Sequence, residues 1–66
     1  MRVTVNGTPR EVAEGCTLVA LVEELGLHVG AVVVERNGTA LLRSEVVTTS
    51  LSDGDVLELV RAVAGG

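Results

Sequence analysis

Residues 17–26 read Thr17-Leu18-Val19-Ala20-Leu21-Val22-Glu23-Glu24-Leu25-Gly26, and this stretch decides how the rest of the chain can be arranged. Leu18, Leu21, Val22 and Leu25 recur at i, i+3, i+4 and i+7, a single apolar stripe at helical period. Thr17 stands where an N-cap belongs, with a hydroxyl that can accept from a free N–H of the first turn. Gly26 follows the last periodic residue, where a left-handed conformation commonly ends a helix. Glu23 and Glu24 fall on the wet side. A helix of about eight residues does not hold in water by itself, so this one must lie on a sheet.

The sheet is legible on both sides of it. Residues 2–5 alternate, with Val3 and Val5 on one face, and Asn6-Gly7 follows as a hairpin turn in which both residues tolerate positive φ. The return strand is expected over 8–12 with Val12 pointing inward, and Pro9 confines it to a sheet edge because proline cannot donate to a ladder. After the helix, the apolar run at 31–35 predicts a central strand with both faces at least partly covered. Asn37-Gly38 marks a second tight turn into a short strand at 39–42. Residues 43–52 are expected to be irregular and anchored by Leu51, and Ser52-Asp53-Gly54-Asp55 is a turn. The last strand spans 56–60, with Leu57 and Leu59 on one face and Val56, Glu58 and Val60 on the other. The expected fold is therefore α+β, a mixed sheet of four to five strands in the order ββαβββ packed on one short helix.

Composition narrows the function. The chain has 66 residues, enough for one domain, and its apolar content is Val, Leu and Ala with no aromatic residue, so modest stability is expected. One cysteine and one histidine supply neither a disulfide, nor a closed zinc site, nor a cysteine-ligated iron–sulfur cluster. No metal or resident cofactor is expected, and the location is expected to be cytoplasmic. No apolar run approaches the length of a membrane span, and with a strand pattern starting at Met1 no signal peptide is expected. The formal net charge is −4 and every basic residue is an arginine, which disfavours nucleic acid as a partner. The free protein is expected to be a monomer.

Two single residues have competing readings. Cys16 precedes a helix N-terminus, where a thiol can be activated, but lone cysteines mostly serve as small buried hydrophobes. His28 is expected to be a solvated loop residue. The valines are more informative. One helix covers one face of a sheet, so Val residues among 32–34, together with Val56 and Val60, are expected on the uncovered face as a docking surface.

The element order in so short a chain, closing on Gly65-Gly66, resembles the β-grasp fold of ubiquitin-like proteins, and most closely the sulfur carriers of thiamine biosynthesis, the ThiS family. The residues carrying the likeness are Val5-Asn6-Gly7, Gly15-Cys16-Thr17-Leu18, Val34-Glu35-Arg36-Asn37-Gly38, Arg43-Ser44-Glu45, Asp53-Gly54-Asp55 and Val63-Ala64-Gly65-Gly66. Relatives commonly have Pro before the Arg-Ser pair and Trp shortly after it, where this chain has Leu42 and Val46. The likeness implies a β-grasp domain over 1–61 and a flexible tail over 62–66. It also implies that an E1-like enzyme uses ATP to adenylate the Gly66 carboxylate, and that a persulfide protein then supplies sulfur to form a thiocarboxylate. Thiazole synthase would receive that sulfur, and the chain would be a co-substrate rather than an enzyme. It offers no nucleophile–base pair of its own.

Such chemistry makes physical demands on the tail. Gly65 and Gly66 lack Cβ atoms, can thread a narrow cleft and leave the acyl carbon open to a sulfur nucleophile. Ala62 and Ala64 keep the approach slim, Val63 is a candidate anchor in an apolar groove, and Arg61 a candidate partner for an acidic rim. Val34 and Val60 complete the candidate partner-binding residues. The bland reading is a frayed terminus. Rival functions are the small subunit of molybdopterin synthase, a tRNA-thiolation carrier, a protein modifier joined through Gly66, and a non-catalytic β-grasp binding module.

Overall fold

A computed structural model describes residues 1–62; Val63, Ala64, Gly65 and Gly66 lie outside the described residues. Five strands, β1 (Arg2–Val5), β2 (Thr8–Glu11), β3 (Val32–Arg36), β4 (Thr39–Ala40) and β5 (Val56–Arg61), form one sheet in the order β2-β1-β5-β3-β4. The β1–β5 pair is parallel and the other three are antiparallel, so the sheet is mixed as expected. Helix α1 (Leu18–Glu24) lies on one face and a shorter helix, α2 (Arg43–Val46), closes one end. The core joins Val3 and Val5 of β1, Leu18, Leu21 and Val22 of α1, Val32 and Val34 of β3, and Leu57 and Leu59 of β5. Val46 and Leu51 complete it.

Helix α1 begins as its sequence dictates. The Thr17 hydroxyl accepts from the Ala20 N–H at 3.1 Å. Two backbone bonds, Leu18 N–H to Thr49 O at 3.0 Å and Leu51 N–H to Cys16 O at 2.9 Å, tie this start to the chain before β5. Thr17→Ala removes the cap and should lower stability by about 1 kcal/mol. In a domain of this size that is a fall in Tm of about 4–8 °C, measurable by thermal denaturation. An unchanged Tm would show that the two backbone bonds alone hold the helix start.

Both Asn-Gly turns do more than reverse the chain. Asn6 and Asn37 have φ of 48° and 52°, and the glycines that follow have 82° and 84°, so both positions of each turn are left-handed. Each asparagine also holds β5. The Asn6 amide accepts from the Leu59 N–H at 2.8 Å and donates to the Leu59 carbonyl at 3.2 Å, continuing the β1–β5 ladder past the end of β1. Asn37 accepts from the Val56 N–H at 2.9 Å through its side chain and donates its own N–H to the Val56 carbonyl at 2.7 Å. Backbone groups that no strand reaches are thus paired by amide side chains.

Several expectations need correction. The strand at β3 starts at Val32, because Val29–Ala31 forms a 3₁₀ turn whose Gly30 N–H donates to His28 Nδ1 at 3.0 Å. Nor is β3 the middle strand, which is β5. The coverage expected on both faces of β3 fails as well, since Val32 and Val34 are buried while Val33 is 51% exposed. Helices lie on one face only, so a continuous apolar run still alternates in burial. Residues 43–52 contain α2, too short to leave a periodic signal. It is opened by the Leu42 N–H donating to the Glu45 carboxylate at 2.7 Å. The fourth strand is two residues long, although Leu41 still donates to Val34 O at 2.9 Å. On the other side β2 is the edge strand that Pro9 requires; it ends at Glu11, with Val12 half-buried against the core.

Candidate functional site

The site is where β5 leaves the sheet. Arg61 pairs with Val32 in the antiparallel β3–β5 register, and the Ala62 N–H donates to Ala31 O at 2.8 Å. The chain is therefore held to the sheet through Ala62, beside the 3₁₀ turn. Of the candidate tail residues, Val63, Ala64, Gly65 and Gly66 lie outside the described residues.

Alternation along β5 separates the two remaining tail-side candidates. Arg61 follows the parity of Leu57 and Leu59 but lies past the cover of α1, where it is exposed. With Leu27, His28 and Val32 it lines an open groove of about 260 Å³ at the tail exit. Val60 projects to the opposite, open face, 60% exposed. The structure thus does not bring Val60 and Arg61 onto one surface.

Val34 is not a partner-binding residue. It is 1% exposed and packs in the core, because it shares parity with Val32 beneath the helix layer. Its neighbour Val33 takes the place on the open face. There the sheet register sets three rows: Val33 opposite Val60, Glu35 opposite Glu58, and Thr4 beside Val56. Val33, Val56 and Val60 are each about half exposed or more, at 51%, 47% and 60%. An apolar patch of this kind on a small domain fits a docking surface. The acidic row that crosses it was not legible beforehand, since no sequence signal places residue 35 opposite residue 58.

Other candidates resolve into structural roles. Cys16 is half-buried and packs against the core. The His28 ring is exposed and caps the 3₁₀ turn, its Nδ1 accepting from the Gly30 N–H. Among the described residues no group of three His, Cys, Asp or Glu side chains is placed to hold a metal ion. No helix among them is long and apolar enough to cross a membrane.

Comparison with known proteins agrees with this geometry. The ThiS family model matches residues 3–66. The chain is 44% identical to the sulfur carrier protein ThiS of Thermus thermophilus over 64 residues, covering 97% of this chain and 98% of that one. It is also 36% identical over its full length to part of a thiazole synthase of Paramagnetospirillum magneticum, spanning 20% of that protein. The crystal structure of the thiamine biosynthesis protein ThiS from Geobacter metallireducens superposes with a TM-score of 0.82 at 36% identity, covering 100% of both chains. The solution structure of a thiamine biosynthesis protein from the same organism gives 0.78, covering 88% of that chain. With the five-stranded sheet and the covering helix in place and the family match running over residues 3–66, the chain belongs to the ThiS family, the sulfur carriers of thiamine biosynthesis.

Proposed function

We propose that the chain carries sulfur on the carboxylate of Gly66, as a protein co-substrate in the cytoplasm and not as an enzyme. The observation that carries this reading is the setting of β5. The middle strand of the sheet, bonded to β1 and β3 and clasped by Asn6 and Asn37, ends at Arg61, a few residues before Gly65-Gly66 in the sequence. A rigid body would thereby present a slim tail to a separate active site, which an unactivated carboxylate requires, since it must enter a water-excluding cleft to be activated.

The chemistry follows from carboxylate reactivity. A carboxylate is a poor acyl donor until its oxygen is converted to a leaving group. An E1-like enzyme with ATP would form the acyl-adenylate, releasing pyrophosphate. The terminal sulfur of a persulfide protein would attack the acyl carbon as AMP leaves. A thiol attacking the inner sulfur would then free the thiocarboxylate and take up a disulfide, which balances the electrons. ATP is a substrate of the activating enzyme, and the chain itself needs no cofactor. Thiazole synthase is the proposed acceptor, supported by the thiazole synthase of Paramagnetospirillum magneticum that contains a segment similar to this whole chain.

The test is intact-mass spectrometry after incubation with a cognate adenylating enzyme, ATP and a persulfide donor. Replacement of one oxygen by sulfur, mapped to Gly66, is expected. An unchanged mass with an enzyme active on another carrier would overturn the reading and leave a modifier or a binding module.

A further inference from the structure

We propose that Asn6 and Asn37 are latent deamidation sites, kept unreactive by the bonds their amides make to β5, and that modification of Asn37 irreversibly destabilises the fold. The inference does not depend on the Gly66 reading. These are the only two asparagines in a chain without glutamine, and a glycine follows each. Asparagine is thermolabile, and a following glycine, having no Cβ, leaves its nitrogen open to the side chain before it. In the reaction the deprotonated glycine nitrogen attacks the side-chain carbonyl carbon of asparagine. A C–N bond forms, the bond to Nδ2 breaks, and that nitrogen leaves as ammonia. Water then opens the cyclic imide at either carbonyl, giving aspartate or its isomer linked through the side chain. No oxidant or reductant is needed. Space does not prevent it at either turn. Asn6, Gly7, Asn37 and Gly38 are all exposed, and a Cβ placed on either glycine would meet nothing within 4 Å beyond its chain neighbours.

What stands in the way is the pair of bonds each amide makes. To close the ring, an amide must swing off β5 onto its own main chain and give up both. Asn6 would lose the Leu59 N–H at 2.8 Å and the Leu59 carbonyl at 3.2 Å. Asn37 would lose the Val56 N–H at 2.9 Å and the Asp55 carboxylate at 3.1 Å. The consequences differ between the two. At Asn37 the product puts a carboxylate oxygen where Nδ2 lay, against the Asp55 carboxylate, which is 4% exposed. Two carboxylates sharing one buried site repel, and one must take up a proton or leave. At Asn6 the new oxygen faces only the Leu59 carbonyl, beside an exposed turn. The isomer adds a backbone atom to a two-residue turn, and so breaks the Val5–Thr8 or the Arg36–Thr39 pairing that closes it. The contact with Asp55 therefore guards the Asn37 amide and also makes its loss the more damaging.

The test incubates the whole protein at mildly alkaline pH, native and unfolded in urea, and follows the exchange of NH2 for OH by mass. Cleavage after arginine releases residues 3–10 and 37–43, each with one asparagine, so every event is assigned to its site. Both fragments should convert at least about tenfold more slowly in the native protein than in urea, since two bonds must break first. In Asp55→Ala, kept at a temperature where its circular dichroism is native, residues 37–43 should speed up at least about threefold relative to residues 3–10. Asn37→Asp, the product itself, should lose at least about 8 °C in Tm, against about 4 °C for Asn6→Asp. Equal rates in native and unfolded protein would overturn the guarding role of β5, as would an unchanged ratio in folded Asp55→Ala. Should Asp55→Ala not fold, the comparison with urea and the two aspartate variants still decide. An Asn37→Asp protein as stable as wild type would overturn the consequence assigned to that site.

Discussion

Removing Gly66 alone should abolish sulfur loading while leaving the domain folded. The truncated chain still ends in a glycine carboxylate, so the chemistry of the end group is the same and only its reach differs. One residue contributes about 3.5 Å of extended chain. Misplacement of reacting atoms by about 1 Å can cost 10²-fold, so a shortfall of this size should lower the loading rate by more than about 10³-fold. The core is built from residues between Val3 and Leu59, none of them in the tail, so Tm should be unchanged. A length-preserving variant, Gly66→Ala, puts a Cβ next to the acyl carbon and should lose roughly tenfold or more in rate. Intact mass against time reads both. Sulfur appearing on Gly65 of the truncated chain at the wild-type rate would show that the activating enzyme does not measure tail length.

The largest loss of stability is expected from Asp55→Ala. Asp55 is 4% exposed, the one buried charged residue among those described. Its carboxylate accepts from the Ser52 N–H at 2.8 Å, from the Asn37 amide at 3.1 Å and from Arg36 Nε at 3.1 Å. Alanine would leave all three donors short of a partner, including a guanidinium in a half-buried position. Breaking such a buried network costs about 3 kcal/mol. A domain of this length has only about 3–10 kcal/mol in total, so the variant should sit near its threshold. Denaturant titration measures the difference, and a loss below about 1 kcal/mol would mean that water replaces the carboxylate.

The same group sets an acid limit. Burial by itself would push the Asp55 pKa up, but the Ser52 N–H, the Asn37 amide and the Arg36 charge outweigh it and hold the carboxyl below its ordinary value. A folded-state pKa below the unfolded one gives stability that is fully present above about pH 4 and is lost as pH falls through the folded value. Wild-type Tm should therefore drop in that acid window, and Asp55→Asn should start lower and fall less steeply. Parallel Tm–pH curves for the two proteins would assign the acid transition to other carboxylates. Because Asn37 and Asp55 together fix the start of β5, this network also supports the strand that carries the tail.

The sequence by itself determined most of the elements and suggested the chemistry proposed for the end. The stripe Leu18, Leu21, Val22 and Leu25, the Thr17 cap, the two Asn-Gly turns and the Leu57–Leu59 alternation are all local patterns. Each depends on residues within a turn or two of one another, so a single strand of text contains them. Pro9 even placed its strand at an edge, because a missing N–H is a local fact with a global consequence. The proposal for Gly65 and Gly66 likewise arose from residue type and order. Only the tertiary structure decided which strand lies in the middle, that Val34 faces the helix and Val33 faces outward, and that Glu35 stands opposite Glu58. It also decided that Asp55, legible as a turn residue, is buried among Arg36, Asn37 and Ser52. Those facts depend on strand register and layer packing between segments far apart in the chain. A shift of one residue would move every side chain of a strand to its other face, and nothing within β3 alone states which face α1 will cover.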